Sequence, residues 1–414
     1  MVKHIYTSVD IGSNSIKVVV FELCKNKLNL LAASSVKSSG IKKGLIVNFE
    51  EATDSMKKAF IGVEEMLGIK IKKVIASVPS YFSDYIKVEE SVPISSQEKI
   101  VTITEINEVL EKCVKKNTSP NREVVTIVPI DFKVDNGERT KDPKALMGNT
   151  LTARGIMVTT PTKNIYSVVS LIENCGVEVV DISVNGIGDS YTFRNQTTGK
   201  NIGAIISIGS EITSVTLYNK GIAVKNSILQ YGGKNIENDI SYMYKVDAKT
   251  ANMLKEQFSV AHVKSASSGD FKEVIDIYGN PKKINQLELS EIVMSRIEEI
   301  FTKVKDEIEN LTDKGLEYII LTGGTSNLPQ IKLVAAEILG DASVGNIKVI
   351  GVRNNKYSAA IGNVIYFIDR LKLKGNNYSM MTKEEEVSLS ASNKGHTNSN
   401  ESMLGKVFGY FFGE

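Results

Sequence analysis

The 414-residue chain contains no tryptophan, three cysteines and three histidines. Cys24, Cys113 and Cys175 lie far apart and form none of the short spacings typical of zinc or redox sites. We therefore expect reduced thiols, buried as small hydrophobic side chains. The histidines are also isolated from one another, so the sequence offers no histidine cluster for metal binding or catalysis.

A strong charge of one sign and a long apolar run are also missing. The formal net charge is +2, so nothing in the composition requires a nucleic-acid partner, and we expect none. No apolar run approaches the roughly 20 residues that cross a bilayer. A strand pattern follows the N-terminus directly, without the features of a signal peptide. At this length we expect two or more domains.

One short motif occurs twice, about half a chain apart. Residues 10–21 read Asp-Ile-Gly-Ser-Asn-Ser-Ile-Lys-Val-Val-Val-Phe, and residues 207–218 read Ser-Ile-Gly-Ser-Glu-Ile-Thr-Ser-Val-Thr-Leu-Tyr. Each copy is an apolar strand, a turn of small residues and a second apolar strand. Such a turn exposes backbone N–H groups with little side-chain bulk, which suits phosphate binding. The repeat therefore predicts two related domains that close on one nucleotide.

The first hairpin supplies several candidate nucleotide-binding residues. Asp10 ends a strand, where its carboxylate can hold a magnesium ion through water beside phosphates. Lys17 begins the return strand and can supply a positive charge. The turn between them offers N–H groups and hydroxyls from Gly12, Ser13, Asn14 and Ser15. The alternative is an ordinary hairpin whose polar residues only satisfy the turn, and the second copy disfavours it.

Further candidates lie in the second half of the chain. The repeated hairpin contributes Gly209, Ser210, Glu211 and Thr213. A strand over residues 318–322 runs into a glycine pair, and small residues there let a ring or a ribose approach the backbone; this turn contributes Gly323, Gly324, Thr325 and Asn327. A third turn and the helix after it contribute Gly232, Gly233, Lys234 and Glu237. Taken alone, each of the last two turns is also compatible with a simple strand-to-helix connection.

This order of two phosphate hairpins and a late Gly-Gly turn resembles the actin/Hsp70/sugar-kinase ATPase superfamily, and within it the FtsA family of bacterial cell division proteins. Residues 39–44, Ser-Gly-Ile-Lys-Lys-Gly, resemble that family's Arg-Gly-x-x-x-Gly segment, and residues 321–328 resemble its adenosine motif. Residues 357–362, Tyr-Ser-Ala-Ala-Ile-Gly, resemble its second connecting helix. The resemblance covers nearly the whole chain.

The resemblance implies an α/β fold, in which duplicated ribonuclease-H-like domains surround a nucleotide cleft and a small α+β subdomain is inserted in the first half. The implied divisions are 1–78 with 161–200 for the first core subdomain, 79–160 for the inserted subdomain, 201–232 with 314–372 for the second core subdomain, 233–313 for the fourth subdomain, 373–402 for a flexible Asn- and Ser-rich linker, and 403–414 for an amphipathic helix.

The last twelve residues form an apolar tail. As a helix they span only about 18 Å, which is too short to cross a bilayer but suits an interfacial helix. Its predicted lipid-facing stripe and single cation are Leu404, Val407, Phe408, Phe411, Phe412 and Lys406. The alternatives are a peptide that docks in a protein groove and a segment that packs back on its own domain.

The second hairpin departs from the family pattern Asp-Ile-Gly-Gly-Gly-Thr-x-Asp. Ser207 and Ser214 stand where the family has aspartates. Hydrolysis in this fold needs charge that positions the metal, the γ-phosphate and the attacking water. We therefore expect no catalytic residues and at most a weak ATPase, with ATP acting as a structural switch for assembly.

The resemblance implies an adaptor that binds ATP and Mg²⁺, self-assembles into filaments and tethers FtsZ to the cytoplasmic face of the cell membrane at the division site. The inserted subdomain is implied to contact the next protomer and other division proteins. Arg296 is implied to receive the FtsZ C-terminal peptide, although an arginine beside an apolar core is the equal alternative. A small-molecule kinase of this fold would need a catalytic carboxylate that faces an acceptor hydroxyl, and the second hairpin offers none. The apolar tail argues against the other alternative, a pilus-assembly actin-like protein.

Overall fold

A computed structural model of the protein describes residues 3–116 and 120–392. Its strands are β1 (His4–Ile11), β2 (Ser15–Cys24), β3 (Lys27–Lys37), β4 (Ile41–Lys42), β5 (Leu45–Ile46), β6 (Lys73–Val78), β7 (Asp84–Pro93), β8 (Arg122–Val134), β9 (Arg139–Thr140), β10 (Thr150–Pro161), β11 (Glu178–Val184), β12 (Ile202–Ile208), β13 (Thr213–Asn219), β14 (Ile222–Leu229), β15 (Phe271–Ile275), β16 (Pro281–Asn285), β17 (Tyr318–Thr322) and β18 (Ala342–Val344).

The helices carry the apolar faces that cover these strands. They are α1 (Phe49–Leu67), α2 (Ile103–Lys115), α3 (Thr162–Glu173), α4 (Asn185–Thr192), α5 (Gly233–Tyr244), α6 (Ala248–Met253), α7 (Gln286–Leu311), α8 (Ile331–Leu339), α9 (Ser358–Leu373) and α10 (Lys383–Ser392). None of the helices in the two described ranges is both long and apolar enough to cross a membrane. The predicted tail, residues 403–414, lies outside the described residues.

Two five-stranded sheets repeat one topology. The first has the order β3-β2-β1-β6-β11 and the second has the order β14-β13-β12-β17-β18. In each sheet an antiparallel hairpin is followed by parallel pairing of its first strand with a later strand. Runs of β-branched residues such as those in β2 favour these buried strands. The duplicated fold predicted from the repeated motif is therefore confirmed.

A separate sheet, β7-β10-β8-β9, forms the inserted subdomain. One face of it packs on the amphipathic helix α2, and the shared core contains Ile106, Val109, Phe132 and Leu151. Helix α2 begins with a capping box between Thr102 and Glu105. The subdomain thus has its own apolar core and connects to the first sheet through β6 and α3.

The α5–α7 region, predicted as the fourth subdomain, lies beside the second sheet. Helix α7 buries an apolar stripe that includes Leu289, Val293, Ile297, Phe301 and Val304. Helix α8 begins only at Ile331, because residues 324–327 form a 3₁₀ turn and Gln330 takes the left-handed N-cap position.

Residues 374–392 correct the predicted flexible linker. The Met380 N–H donates to the Ile5 carbonyl at 2.9 Å, and Glu385 on α10 pairs with Lys72 at 2.7 Å. Leu389 is buried in the core of the first domain. Thr382 and Glu385 cap the start of α10 reciprocally. Composition averaged over the whole segment concealed these few apolar and capping residues, which order its first part.

Candidate functional site

A cavity of about 740 Å³ lies between the two halves, within the size range of small-molecule sites. Both repeated hairpins, the Gly-Gly turn and the fourth subdomain contribute to its walls. The predicted residues that line it are Asp10, Gly12, Ser13, Asn14, Ser15, Lys17, Gly209, Ser210, Glu211, Lys234, Glu237, Gly323, Gly324, Thr325 and Asn327. Most of the candidate set is therefore brought together in one place.

Three predicted residues lie behind the cavity wall instead. The Thr213 hydroxyl donates to the Tyr231 carbonyl at 2.8 Å. A Cβ on Gly232 would lie 2.6 Å from the Ser210 carbonyl oxygen, and one on Gly233 would lie 2.5 Å from the Thr325 hydroxyl. These glycines permit the close approach of the third turn to the second hairpin, so they shape the cleft without facing it.

A buried ion pair lies at the base of the first hairpin. Lys17 Nζ donates to Asp10 Oδ2 at 2.6 Å, because the two residues are partners in the β1–β2 register. Asn185, which the sequence analysis missed, donates from Nδ2 to Asp10 Oδ1 at 3.2 Å. The Asn185 Oδ1 atom is buried and has no partner among the described residues. Both oxygens of this carboxylate are thus engaged.

The Asp10 carboxylate suits a magnesium ion only as a ligand that acts through bridging waters. Residues 3–116 and 120–392 contain no group of three or more His, Cys, Asp or Glu side chains arranged to hold a metal. Magnesium keeps several of its waters and uses one or two carboxylates together with substrate phosphates. Asp10 fits that limited role, which stays a prediction.

The turn between β4 and β5 connects the two hairpins across the cleft. The Gly44 N–H donates to Ser13 Oγ at 2.8 Å, on the side of the first hairpin. The Lys43 N–H donates to Glu211 Oε2 at 2.5 Å, and Lys43 Nζ donates to Gln230 Oε1 at 2.5 Å, on the side of the second half. The carboxylate of Glu211, in the second half of the chain, is therefore engaged by a backbone N–H of the first half.

The fourth subdomain adds a second charged cluster. Glu237 accepts from Lys255 at 2.6 Å and from Lys234 at 3.0 Å, and both Glu237 and Lys255 are buried. Lys356 also lines the cavity; burial and the positive charge of Lys17 lower its pKa. Neither Lys255 nor Lys356 belongs to a recognisable motif, so no sequence pattern pointed to either residue. This concentration of lysines favours an anionic ligand.

A buried carboxyl group connects the cleft to the helices behind it. Ser358 Oγ, at the start of α9, donates to Asp189 Oδ1 on α4 at 2.6 Å. Burial raises the pKa of Asp189 to about 7, the Ser358 hydrogen bond opposes this rise, and the nearby Asp10 charge adds to it. The Asp189 carboxyl group is therefore largely protonated in the folded protein below neutral pH.

Arg296 lies away from the cleft, on α7. Its guanidinium donates to both carboxylate oxygens of Asp239 on α5, at 2.6 and 2.9 Å, and it also pairs with Glu299. The sequence suggested a cation beside an apolar stripe. The structure instead shows an arginine already neutralised by two acids, because i,i+3 spacing and the neighbouring helix bring carboxylates to it.

Comparison with known proteins agrees with this architecture. A family model described as "Cell division protein FtsA" matches residues 204–362, and one described as "SHS2 domain inserted in FTSA" matches residues 84–159. The cell division protein FtsA of Streptococcus pneumoniae is 30% identical over 86% of this chain and 78% of its own length. The chain belongs to the FtsA family. FtsA of Bacillus subtilis is 28% identical over 92% of this chain and 88% of its own length.

Solved structures show the actin-like fold of this FtsA-family chain. The PilM-PilN type IV pilus biogenesis complex contains a chain with a TM-score of 0.58 and 14% identity, covering 87% of this chain and 98% of that one. MreB5 of Spiroplasma citri bound to ADP gives a TM-score of 0.51 at 16% identity, covering 90% of this chain and 99% of that one. At these identities the likeness concerns the fold alone.

The Asp189 carboxyl group predicts a pH-dependent stability. Its folded pKa lies above the unfolded value, so the carboxyl group favours folding fully below about pH 4 and loses that contribution as pH rises towards 7. Asp189→Asn keeps an oxygen for Ser358 and removes the titration. We expect the melting temperature of the variant to gain on the wild type progressively between pH 4 and 8. A difference that stays constant over this range would contradict the assignment.

Proposed function

We propose that this FtsA-family protein binds ATP with Mg²⁺ in the cleft, self-assembles at the cytoplasmic face of the cell membrane and tethers FtsZ there during division. The observation that carries the proposal is the joint lining of one cavity by both repeated hairpins and the Gly-Gly turn. Their N–H groups and the lysines around them suit phosphates, and Glu237 suits a ribose.

We infer that ATP serves as a structural ligand in this protein. Ser207 and Ser214 face each other in the β12–β13 register, where neither supplies a carboxylate for a metal. Ser214 Oγ instead donates to Asn226 Oδ1 at 3.1 Å, and Glu211 is held by the Lys43 backbone. With Asp10 paired to Lys17, few charged groups are left to position a water. The expected turnover is therefore at most weak.

Self-assembly would give the protein a stronger membrane attachment than one C-terminal tail provides. The predicted helix at residues 403–414 has one cation and binds lipid weakly by itself, so stable attachment requires several linked copies. The inserted subdomain offers an exposed apolar surface around Met147, which is 72% exposed, and Leu146. This surface is a candidate contact for the next protomer or another division protein.

Two alternatives from the same fold are less well supported. A kinase requires a carboxylate facing an acceptor hydroxyl, and the second hairpin offers serines at those positions. The pilus-biogenesis neighbour shares the fold at only 14% identity, whereas FtsA of Bacillus subtilis is 28% identical over 92% of this chain. ATP turnover stimulated by a sugar or by a carboxylic acid would favour the kinase.

The proposed membrane attachment predicts that co-sedimentation with liposomes requires residues 403–414. Full-length protein with ATP is expected to co-sediment with anionic liposomes, and a chain ending at residue 402 is expected to stay in the supernatant. Phe408→Ser in the full chain is the matched control, because it weakens only the apolar stripe. Equal sedimentation of the long and short chains would contradict membrane attachment through this segment.

The proposed contact with FtsZ predicts that removing the Asp239 charge strengthens binding of the FtsZ peptide. Asp239→Asn removes the main partner of Arg296, so this guanidinium becomes available to an acidic peptide. We expect the variant to bind a synthetic FtsZ C-terminal peptide severalfold more tightly, as measured by fluorescence anisotropy. Asp306→Asn removes an exposed acid from α7, the helix of Arg296, so it changes the net charge equally and is expected to leave affinity unchanged. Weaker binding by Asp239→Asn would contradict a peptide contact at Arg296.

A further inference from the structure

The loop over residues 79–83 leads from the cleft wall into the inserted subdomain. It follows β6 of the first sheet and precedes β7 of the insert. Tyr81 lines the cavity, and its hydroxyl is buried without a hydrogen-bond partner among the described residues. A buried polar group without a partner costs free energy, so native proteins rarely keep one without a reason. The Tyr81 residue that carries this hydroxyl lines a ligand-sized cavity, and a ligand there supplies such a reason.

Tyr81 lies beside the contacts that join the two hairpins. A Cβ on Gly44 would lie 4.0 Å from Tyr81 Cε2, so the ring packs against the β4–β5 turn. That turn touches Ser13 on one side and Glu211 on the other. Burial, with the Glu211 charge as a smaller cause, raises the pKa of Tyr81, so the hydroxyl stays protonated and can donate. The space between two phosphate hairpins is where the end of a polyphosphate would lie.

The backbone of the same loop is held by α3 on one side and by the inserted subdomain on the other. The Tyr81 carbonyl accepts from Asn164 Nδ2 at 2.9 Å. The next carbonyl, that of Phe82, accepts from the Arg122 guanidinium at 2.7 Å, and Arg122 also pairs with Asp84 at 2.8 Å. Phe82 has a positive φ of 55°, a strained conformation for an aromatic residue. A movement of Tyr81 and its neighbour Phe82 would therefore displace Arg122, the first residue of β8.

We propose that Tyr81 senses the terminal phosphate of a bound nucleoside triphosphate. Its hydroxyl donates a hydrogen bond to that phosphate, and the loop passes the contact through Arg122 to the inserted subdomain. The inference rests on the proposed nucleotide binding and adds to it a residue that distinguishes triphosphate from diphosphate. It also gives the insert a physical means of responding to the nucleotide.

The test is Tyr81→Phe in the full chain, with equilibrium binding of ATP and ADP measured separately. The variant keeps the ring and loses one hydrogen bond to a charged group. We expect ATP affinity to fall about tenfold or more and ADP affinity to stay unchanged. Tyr85→Phe is the matched control, because the Tyr85 hydroxyl is also buried without a hydrogen-bond partner in residues 3–116 and 120–392, but Tyr85 does not line the cavity. It is expected to change neither affinity.

The outcomes separate this inference from the function on which it rests. If wild-type protein binds neither nucleotide, the proposed function fails, and the inference fails with it. If it binds both and Tyr81→Phe lowers the two affinities equally, or changes neither, nucleotide binding stands and the sensor is overturned.

A second measurement addresses the connection to the inserted subdomain. We expect ATP, but not ADP, to slow amide hydrogen exchange in β8 of the wild-type protein. Arg122→Gln is expected to abolish this difference while ATP affinity is retained, since Arg122 does not line the cavity. Unchanged ATP-dependent protection in that variant would overturn the proposed route through Arg122.

Discussion

The geometry of the cleft depends on the crossing of two helices at a pair of glycines. A Cβ on Gly362 of α9 would lie 1.6 Å from the Gly188 carbonyl oxygen of α4, so the two backbones touch where no side chain fits. From this crossing α4 presents Asn185 to Asp10, and α9 presents Ser358 to Asp189. Since the two helices lie between the two sheets, their spacing sets how closely the hairpins face each other. A side chain at either glycine would therefore act on the site from a distance.

The charges in the cleft fall into two classes. Its carboxylates are already engaged by the protein, with Asp10 on Lys17, Glu211 on the Lys43 backbone and Glu237 on two lysines. The Tyr81 hydroxyl has no hydrogen-bond partner within the described residues, and Lys356 adds a cation to the cavity lining. Such a site is complementary to phosphates and poor in groups that activate water. If the proposed nucleotide binds here, these charges favour its retention over its turnover.

Much of this arrangement could be predicted from the sequence, and the remainder could not for identifiable reasons. Apolar runs on either side of a small-residue turn located the hairpins β1–β2 and β12–β13, because local sequence patterns determine strands and turns. The contact of Glu211 with Lys43 joins distant parts of the chain and leaves no local pattern. The same holds for the Arg296–Asp239 pair, which converts an apparently free cation into a neutralised one. Residues 374–392 were missed because averaging over composition hides a capping box and a few buried apolar residues.

The central claim is that the cleft retains ATP as a structural ligand. Its most direct test mixes full-length protein with an excess of ATP and Mg²⁺ and follows the bound nucleotide and its hydrolysis over time in one experiment. The account predicts that ATP binds at one equivalent per chain and stays largely intact, with turnover far below the roughly 1–1000 per second of typical enzymes. Failure to bind ATP, or hydrolysis at many turnovers per second, would contradict it.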